Sequence, residues 1–239
     1  MASKGQLLYE GKAKKLYATE DQQVLWVEYL DQATAFNGEK KDQISGKAIL
    51  NNQISSLIFQ VLAERGVPNH LIEQLSDTEQ LVRAVQIIPL EVVVRNVAAG
   101  SISKRLGIEE GTPLAFPVVE FYYKDDDLGD PLISEDHIRL LDIATPADLE
   151  EIRSQALAVN TQLQELFDSC GITLVDFKLE FGSDNNGQIL LADEVSPDTS
   201  RLWDKETGAH LDKDVYRRDL GDLIDVYQVV RARLEDALA

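Results

Sequence analysis

ITLVDFKLEFGSDNNGQILLADEVSPDTSRLW, residues Ile172 to Trp203, decides how the chain folds around its chemistry. Val175, Phe177, Leu179 and Phe181 alternate with Asp176, Lys178 and Glu180. Side chains on a strand change face at every residue, so the first set enters a core and the second lies together on the other face. Asn186-Gly187 predicts a hairpin, because both positions tolerate positive φ. A two-residue turn there sets Glu180 directly opposite Asp193. Directly opposed β-carbons are about 4.5–5.5 Å apart and like charges there repel, by about 3 kcal/mol at an effective dielectric of about 20. Water, a cation such as Lys178, or a divalent metal relieves the repulsion. Two hard oxygen ligands that leave room for water and phosphate suit Mg²⁺. A solvated acidic hairpin in an acidic protein fits the same residues.

The chain has 239 residues and a formal net charge of −19. That length is enough for one large domain or two small ones. The charge argues against a nucleic-acid binder, which shows a basic stripe. Anionic small molecules remain possible if the few cations are concentrated where they bind. Cys170 is the single cysteine, so an internal disulfide is excluded and a reducing cytoplasm is expected. The start, MASKGQLLYEG, lacks the apolar core of a signal peptide, and no apolar run approaches the roughly 20 residues of a membrane span.

Outward from the hairpin, Leu7 to Tyr17 reads as strand, turn at Gly11, strand, followed by a strand over Val24–Tyr29. Lys12 and Lys14 share parity and therefore a face; they reach phosphate oxygens under a hairpin lid, or they form a solvated lysine turn. Asp31 to Lys47 is polar with little periodicity and is expected to be a mobile loop. Ala48 to Arg65 is helical, with Ile54, Leu57, Ile58, Val61 and Leu62 on one stripe and Asn51, Asn52 and Ser55 facing water. Leu81 to Val94 reads as two strands joined through Gln86-Ile87-Ile88-Pro89. Such a connection between lobes presents backbone groups to an adenine ring, or is a plain bend. Ser101 is expected as the N-cap of a short helix through Leu106. With Arg95 nearby it makes either an anion site or an ordinary capped helix. Leu114–Lys124 reads as a strand and Asp125–Asp127 as a solvated turn. Ser134 starts a short helix. Thr145-Pro146-Ala147-Asp148 starts a long one that ends at Gly171 and packs on the apolar face of the hairpin. The segment from Lys213 reads as one amphipathic helix. His70, His137 and His210 have no spacing that suggests a metal site.

IIPLEVVVRNVAAGS (Ile87–Ser101) and LVDFKLEFG (Leu174–Gly182) closely resemble the two signature motifs of the SAICAR synthetase family. The resemblance extends through YEGKAKKLY, ATAFNGEKK, LNNQIS, SDTEQLV and DEVSPDTSRLWD to the C-terminal helix, essentially the whole chain. One departure is Asn37, where some members carry aspartate. The resemblance implies an α+β fold of two lobes, with an N-terminal antiparallel-sheet lobe (1–88) related to protein kinases and ATP-grasp enzymes. A C-terminal α+β lobe (89–239) follows, with an ATP cleft between the two. It implies an ATP-dependent ligase of purine biosynthesis that joins L-aspartate to the carboxylate of CAIR through an acyl phosphate, giving SAICAR, ADP and phosphate. Carried over, Lys12, Lys14 and Lys124 meet the ATP phosphates, Gln86, Ile87 and Ile88 the adenine, and Glu180 and Asp193 hold Mg²⁺. Arg95, Ser101 and Arg201 bind the CAIR phosphate. Lys178 meets the carboxylate or the moving phosphoryl group. Asp198 holds the imidazole or orders its loop. The 31–47 loop closes over aspartate. No nucleic acid or membrane partner is implied, and a cytoplasmic homodimer or other homo-oligomer is expected. A small-molecule kinase on the same scaffold and a non-catalytic nucleotide-binding module are the alternatives.

Overall fold

A computed structural model describes residues 2–35, 38 and 40–239; Asn37 lies outside the described residues. The chain runs β1 (Leu7–Glu10), β2 (Lys14–Ala18), β3 (Val24–Tyr29), β4 (Gln32–Ala35), β5 (Lys40–Gln43), α1 (Lys47–Glu64), β6 (Leu71–Gln74) and β7 (Glu79–Arg83). It continues with β8 (Gln86–Val97), α2 (Ser101–Leu106), β9 (Pro113–Tyr123), β10 (Leu132–Ile133), α3 (Glu135–Leu140) and α4 (Pro146–Ser169). Then come β11 (Ile172–Ser183), β12 (Ile189–Ala192), β13 (Ser200–Asp204), α5 (Asp214–Arg217) and α6 (Leu223–Leu238). One antiparallel sheet has the order β1-β2-β3-β7-β6, and a second has β10-β9-β8-β11-β12 with β13 also paired to β11. The result is a two-lobed α+β fold in which the chain changes sheet at Ala84-Val85.

The central strand behaves as its alternation predicts. Phe177, Leu179 and Phe181 enter the main core with Ile152, Val159, Leu163 and Phe167 of α4. Thr145 and Asp148 close a reciprocal capping box at the start of α4, with Pro146 at its first position. Gly171, at φ +66°, turns the chain into β11. At the far end of β11, Gly182 lets the link between sheets cross closely: an added Cβ would lie 2.6 Å from Val85 Cγ2.

The hairpin register differs from the expected one. The loop holds three residues: Asp184 C=O accepts from Gly187 N–H (3.0 Å), and Gly187 stands at φ +80°. A type I turn followed by a left-handed residue is the favoured three-residue hairpin loop, and it moves the pairing by one. Glu180 therefore opposes Ala192, not Asp193.

Further expectations are corrected. The 31–47 segment contains an antiparallel pair, β4–β5, registered Gln32↔Gln43 to Ala35↔Lys40; Ala33 and Ala35, on one face of β4, are buried. Gln86–Ile88 is not a connection but part of a twelve-residue strand, with Ile87 opposite Gly182. Pro89 sits where the β8–β11 ladder slips register, a place that tolerates a missing N–H. Asn51, Asn52 and Ser55 are buried, because α1 is enclosed between the first sheet and α6. Asn52 Nδ2 donates to the carbonyls of Ser76 and Asp77 (3.0 Å each), and Ser55 Oγ accepts from Val195 N–H. The C-terminal segment breaks into α5 and α6. Asp222 caps α6 by accepting from Ile224 and Asp225 N–H, which leaves Leu220 exposed.

Candidate functional site

β8 and β11 build the floor of the site. Asp176 opposes Arg95, Lys178 opposes Val93, and Glu180 opposes Glu91. These residues share one face, and all of them line a cavity of about 690 Å³. The β1–β2 turn overhangs it with Lys12 and Lys14, and Lys124, Asp193, Asp198 and Arg201 complete the wall. A cavity of this size suits a small-molecule substrate. The structure thus brings together Lys12, Lys14, Arg95, Lys124, Lys178, Glu180, Asp193, Asp198 and Arg201. Gln86, Ile87, Ile88 and Ser101 lie outside that wall.

At one end, acids and lysines are interleaved. Lys178 Nζ lies 3.0 Å from Glu91 and 2.8 Å from Glu180, and Lys124 Nζ lies 2.7 Å from the same Glu180 oxygen. The opposed like charges on the floor are therefore Glu91 and Glu180, with Lys178 between them. Asp193 leaves β12 at φ +58°, a left-handed conformation that aspartate tolerates better than most residues. Its carboxylate meets Lys14 at 2.6 Å; Lys14 also lies 3.4 Å from Glu194. Burial disfavours the Asp193 charge, but Lys14 and Lys178 outweigh it and hold the carboxyl well below the usual range. The same neighbours raise the lysines: burial opposes their charge, and Asp193 overcomes it at Lys14 as Glu180 does at Lys178. Lys12 pairs with Asp126 at 2.6 Å.

The other end is built on arginine. Arg95 is buried and meets Asp176 (2.5 Å), Glu120 (2.7 Å), Ser101 Oγ (2.9 Å) and Tyr122 Oη (3.1 Å). Arg201 meets the same Asp176 oxygen at 2.9 Å and Asp214 at 3.0 Å. One carboxylate thus orients two guanidinium groups, the residue type suited to phosphate oxygens. Gly100 allows the close approach, since an added Cβ would lie 2.6 Å from Arg201 Nη2. Ser101 is the first residue of α2 and not its cap; Gly100 holds the cap position with no side-chain bond. The Ser101 hydroxyl is engaged by Arg95 and Arg105 instead.

Asp198 is held from three sides. Lys47 lies 2.8 Å and Lys213 3.0 Å from Oδ2, while Tyr227 donates to Oδ1 at 2.6 Å. Both of its oxygens are thus engaged within the protein, which favours its role in ordering the β12–β13 loop.

Glu180 and Asp193 fit a Mg²⁺ ion by donor type. Both are carboxylates on the cavity wall, each compensated by a lysine that a divalent cation replaces in kind. Sequence reasoning did not single out Glu91, Glu194, Lys47 or Lys213, and it placed Asp176 on the face of Lys178 and Glu180 without giving it a role. The signal for Glu91 was present, because Glu91, Val93 and Arg95 share strand parity. Glu194 and Lys213 reach the cavity, and Lys47 backs it through Asp198, from loops and helix ends where no period reveals direction.

The SAICAR synthetase family model matches residues 7–234. The phosphoribosylaminoimidazole-succinocarboxamide synthase of Lysinibacillus sphaericus (strain C3-41) is 62% identical, over 97% of this chain and 98% of that protein. A crystal structure of the synthase of that name from Ehrlichia chaffeensis superposes with a TM-score of 0.94 at 48% identity, covering 96% of this chain and 98% of that one. A SAICAR synthetase solved in complex with ADP gives 0.92 at 48% identity, covering 95% and 96%. The chain belongs to the SAICAR synthetase family.

Proposed function

We infer that the chain is an ATP-dependent ligase of purine biosynthesis that joins L-aspartate to the carboxylate of CAIR, giving SAICAR, ADP and phosphate. The observation that carries this reading is the polarity of the cavity: interleaved acids and lysines at one end, two arginines oriented by Asp176 at the other. A sugar phosphate and a nucleoside triphosphate need opposite ends of one cleft, with the carboxylate to be activated between them. The ADP complex of a relative with 48% identity supports the nucleotide end.

In this assignment Arg95 and Arg201 grip the CAIR phosphate, with Ser101 holding Arg95 in place. Lys178 stands midway on the floor, beside the CAIR carboxylate. Lys12, Lys14 and Lys124 meet the ATP phosphates, and the Gln86–Ile88 stretch of β8 meets the adenine. Glu180 and Asp193 would hold Mg²⁺, which supplies charge neutralisation on the phosphate oxygens when bound. The carboxylate of CAIR is a poor electrophile until its oxygen becomes a leaving group. It takes the γ-phosphoryl group to give an acyl phosphate, and the aspartate amine then displaces phosphate. The protein's part is positioning and electrostatics, and it is performed by groups already oriented by ion pairs. Asp198 acts by ordering the wall beside the substrate, and the β4–β5 hairpin covers the aspartate end. The enzyme is assigned to the cytoplasm as a homodimer on the family resemblance; among the described residues no helix is long and apolar enough to cross a membrane.

The test is ADP release by the purified chain with Mg·ATP. Release that needs CAIR and L-aspartate together, with SAICAR formed in equal amount, is the expected result. Turnover with a hydroxyl acceptor and no aspartate would identify a kinase, and ATP binding without turnover a non-catalytic module.

A further inference from the structure

One corner of the cavity carries more positive charge than its anions balance. Asp198 Oδ2 has two ammonium neighbours, Lys47 at 2.8 Å and Lys213 at 3.0 Å. Its other oxygen is taken by the Tyr227 hydroxyl. Lys47 is fully buried at the start of α1, and Asp198 is its one anionic contact among the described residues. The groups facing Lys213 are Asp198 on the β12–β13 loop, Lys47 on α1, Arg217 one turn along α5, itself paired with Asp214 at 2.7 Å, and, behind Asp198, Tyr227 on α6. One carboxylate cannot compensate two buried ammonium groups, and a cationic neighbour is a recognised way of making a lysine basic but uncharged. Lys47 does not line the cavity; Lys213 does. Lys213 is therefore the member of the pair that can exchange a proton with a bound molecule.

The ligase reading, on which this inference rests, requires such a group. L-Aspartate arrives as an ammonium ion, and its nitrogen has no lone pair until a proton leaves. We propose that Lys213, in its uncharged form, takes that proton from the L-aspartate ammonium and so creates the nucleophile. The proton passes from the aspartate nitrogen to Lys213 Nζ. The freed lone pair forms the C–N bond to the acyl carbon, and the C–O bond breaks with its electrons leaving on phosphate. The second nitrogen proton leaves with that phosphate. Direction of titration agrees with the geometry. Burial pulls the Lys213 ammonium below the ordinary lysine value against the pull of Asp198, and Lys47 and Arg217 add to the lowering. Lys14 and Lys178, on the same cavity wall, move the other way.

The experiment compares the wild-type chain with Lys213→Arg and Lys47→Met, supplying ATP, CAIR and one of two amines. Arginine carries a permanent positive charge and cannot act as a proton acceptor. Hydroxylamine is uncharged at neutral pH and attacks an acyl phosphate without prior deprotonation. Lys213→Arg should lose about 100-fold in turnover with L-aspartate, the scale of a lost proton acceptor, while hydroxamate formation with hydroxylamine stays within about twofold. Lys47→Met removes the second ammonium, so the acidic limb of the aspartate pH profile should move to higher pH. Aspartate turnover retained in Lys213→Arg, equal loss with both amines, or an unmoved limb in Lys47→Met each overturns the assignment. A wild-type chain that releases ADP with neither amine overturns the ligase reading itself, an outcome the variants do not produce.

Discussion

Lys14→Met tests whether the cavity acids are held in place by lysines. Lys14 Nζ is 2.6 Å from Asp193 and 3.4 Å from Glu194, with side-chain exposures of 14%, 26% and 7%. Breaking a fully buried pair costs about 3–5 kcal/mol, and an exposed one contributes about 0–1 kcal/mol. The pair lies between these limits and Lys178 still faces Asp193, so a loss of about 2 kcal/mol is expected. For a chain of this size that lowers Tm by about 4–8 °C. Urea unfolding of Lys14→Met, Asp193→Asn and the double variant should give a coupling of about 1–2 kcal/mol. The sign with pH follows from the direction at Asp193. Its folded-state pKa lies below the unfolded value of about 3.9, so the pair stabilises above that pH and the contribution is lost as pH falls through the lower folded value. The gap between wild type and Lys14→Met should thus be constant from neutral pH to about pH 5 and close only below about pH 4. Millimolar Mg²⁺ without nucleotide should raise the Tm of Lys14→Met more than that of wild type, because Lys14, the lysine in direct contact with Asp193, then no longer competes for it. Additivity within about 0.5 kcal/mol in the cycle would refute the reasoning.

Asp193→Asn should remove most activity, by about 100-fold or more, the scale for losing one electrostatic group at a transition state. It should leave the fold intact at a cost of about 1 kcal/mol, since Lys14 keeps Glu194; circular dichroism and steady-state kinetics check both. An active Asp193→Asn enzyme removes the metal assignment. Gly100→Ala places a methyl group against Arg201 at a backbone angle of φ +60°. It should cost about 1–3 kcal/mol in urea unfolding and raise the CAIR KM more than the ATP KM. Equal changes in the two KM values would argue against an arginine-built phosphate end.

Much of the fold was legible because its longest elements repeat a simple period. β11 alternates apolar and charged residues, and both the core face and the cavity face came out as read. α4 announces its start with Thr145-Pro146 and its end with Gly171. The misreadings have local causes. The hairpin register slipped by one because Asn186-Gly187 fits both a two-residue turn and the second half of a three-residue loop; hydrogen bonding by Asp184 selects the latter. Asn51, Asn52 and Ser55 look solvent-facing on a helical wheel, yet α1 is covered on both sides; the Asn52 amide donates to the carbonyls of Ser76 and Asp77, and the Ser55 hydroxyl accepts from Val195 N–H. Pro89 looks like a break between strands, but a ladder slip absorbs it.

By itself the sequence determined which residue types share a face: Asp176, Lys178 and Glu180 on one strand, Lys12 and Lys14 on one turn. It also carried motifs long enough to identify the family. Only the tertiary structure decided who neutralises whom. Lys178 bridges Glu91 and Glu180, Asp193 turns out of its strand onto Lys14, and Lys47 and Lys213 converge on Asp198 from opposite ends of the chain. Strand periodicity is a property of neighbouring residues and can be read along the chain. Charge compensation acts through space, between segments as much as 179 residues apart, and no local pattern encodes it.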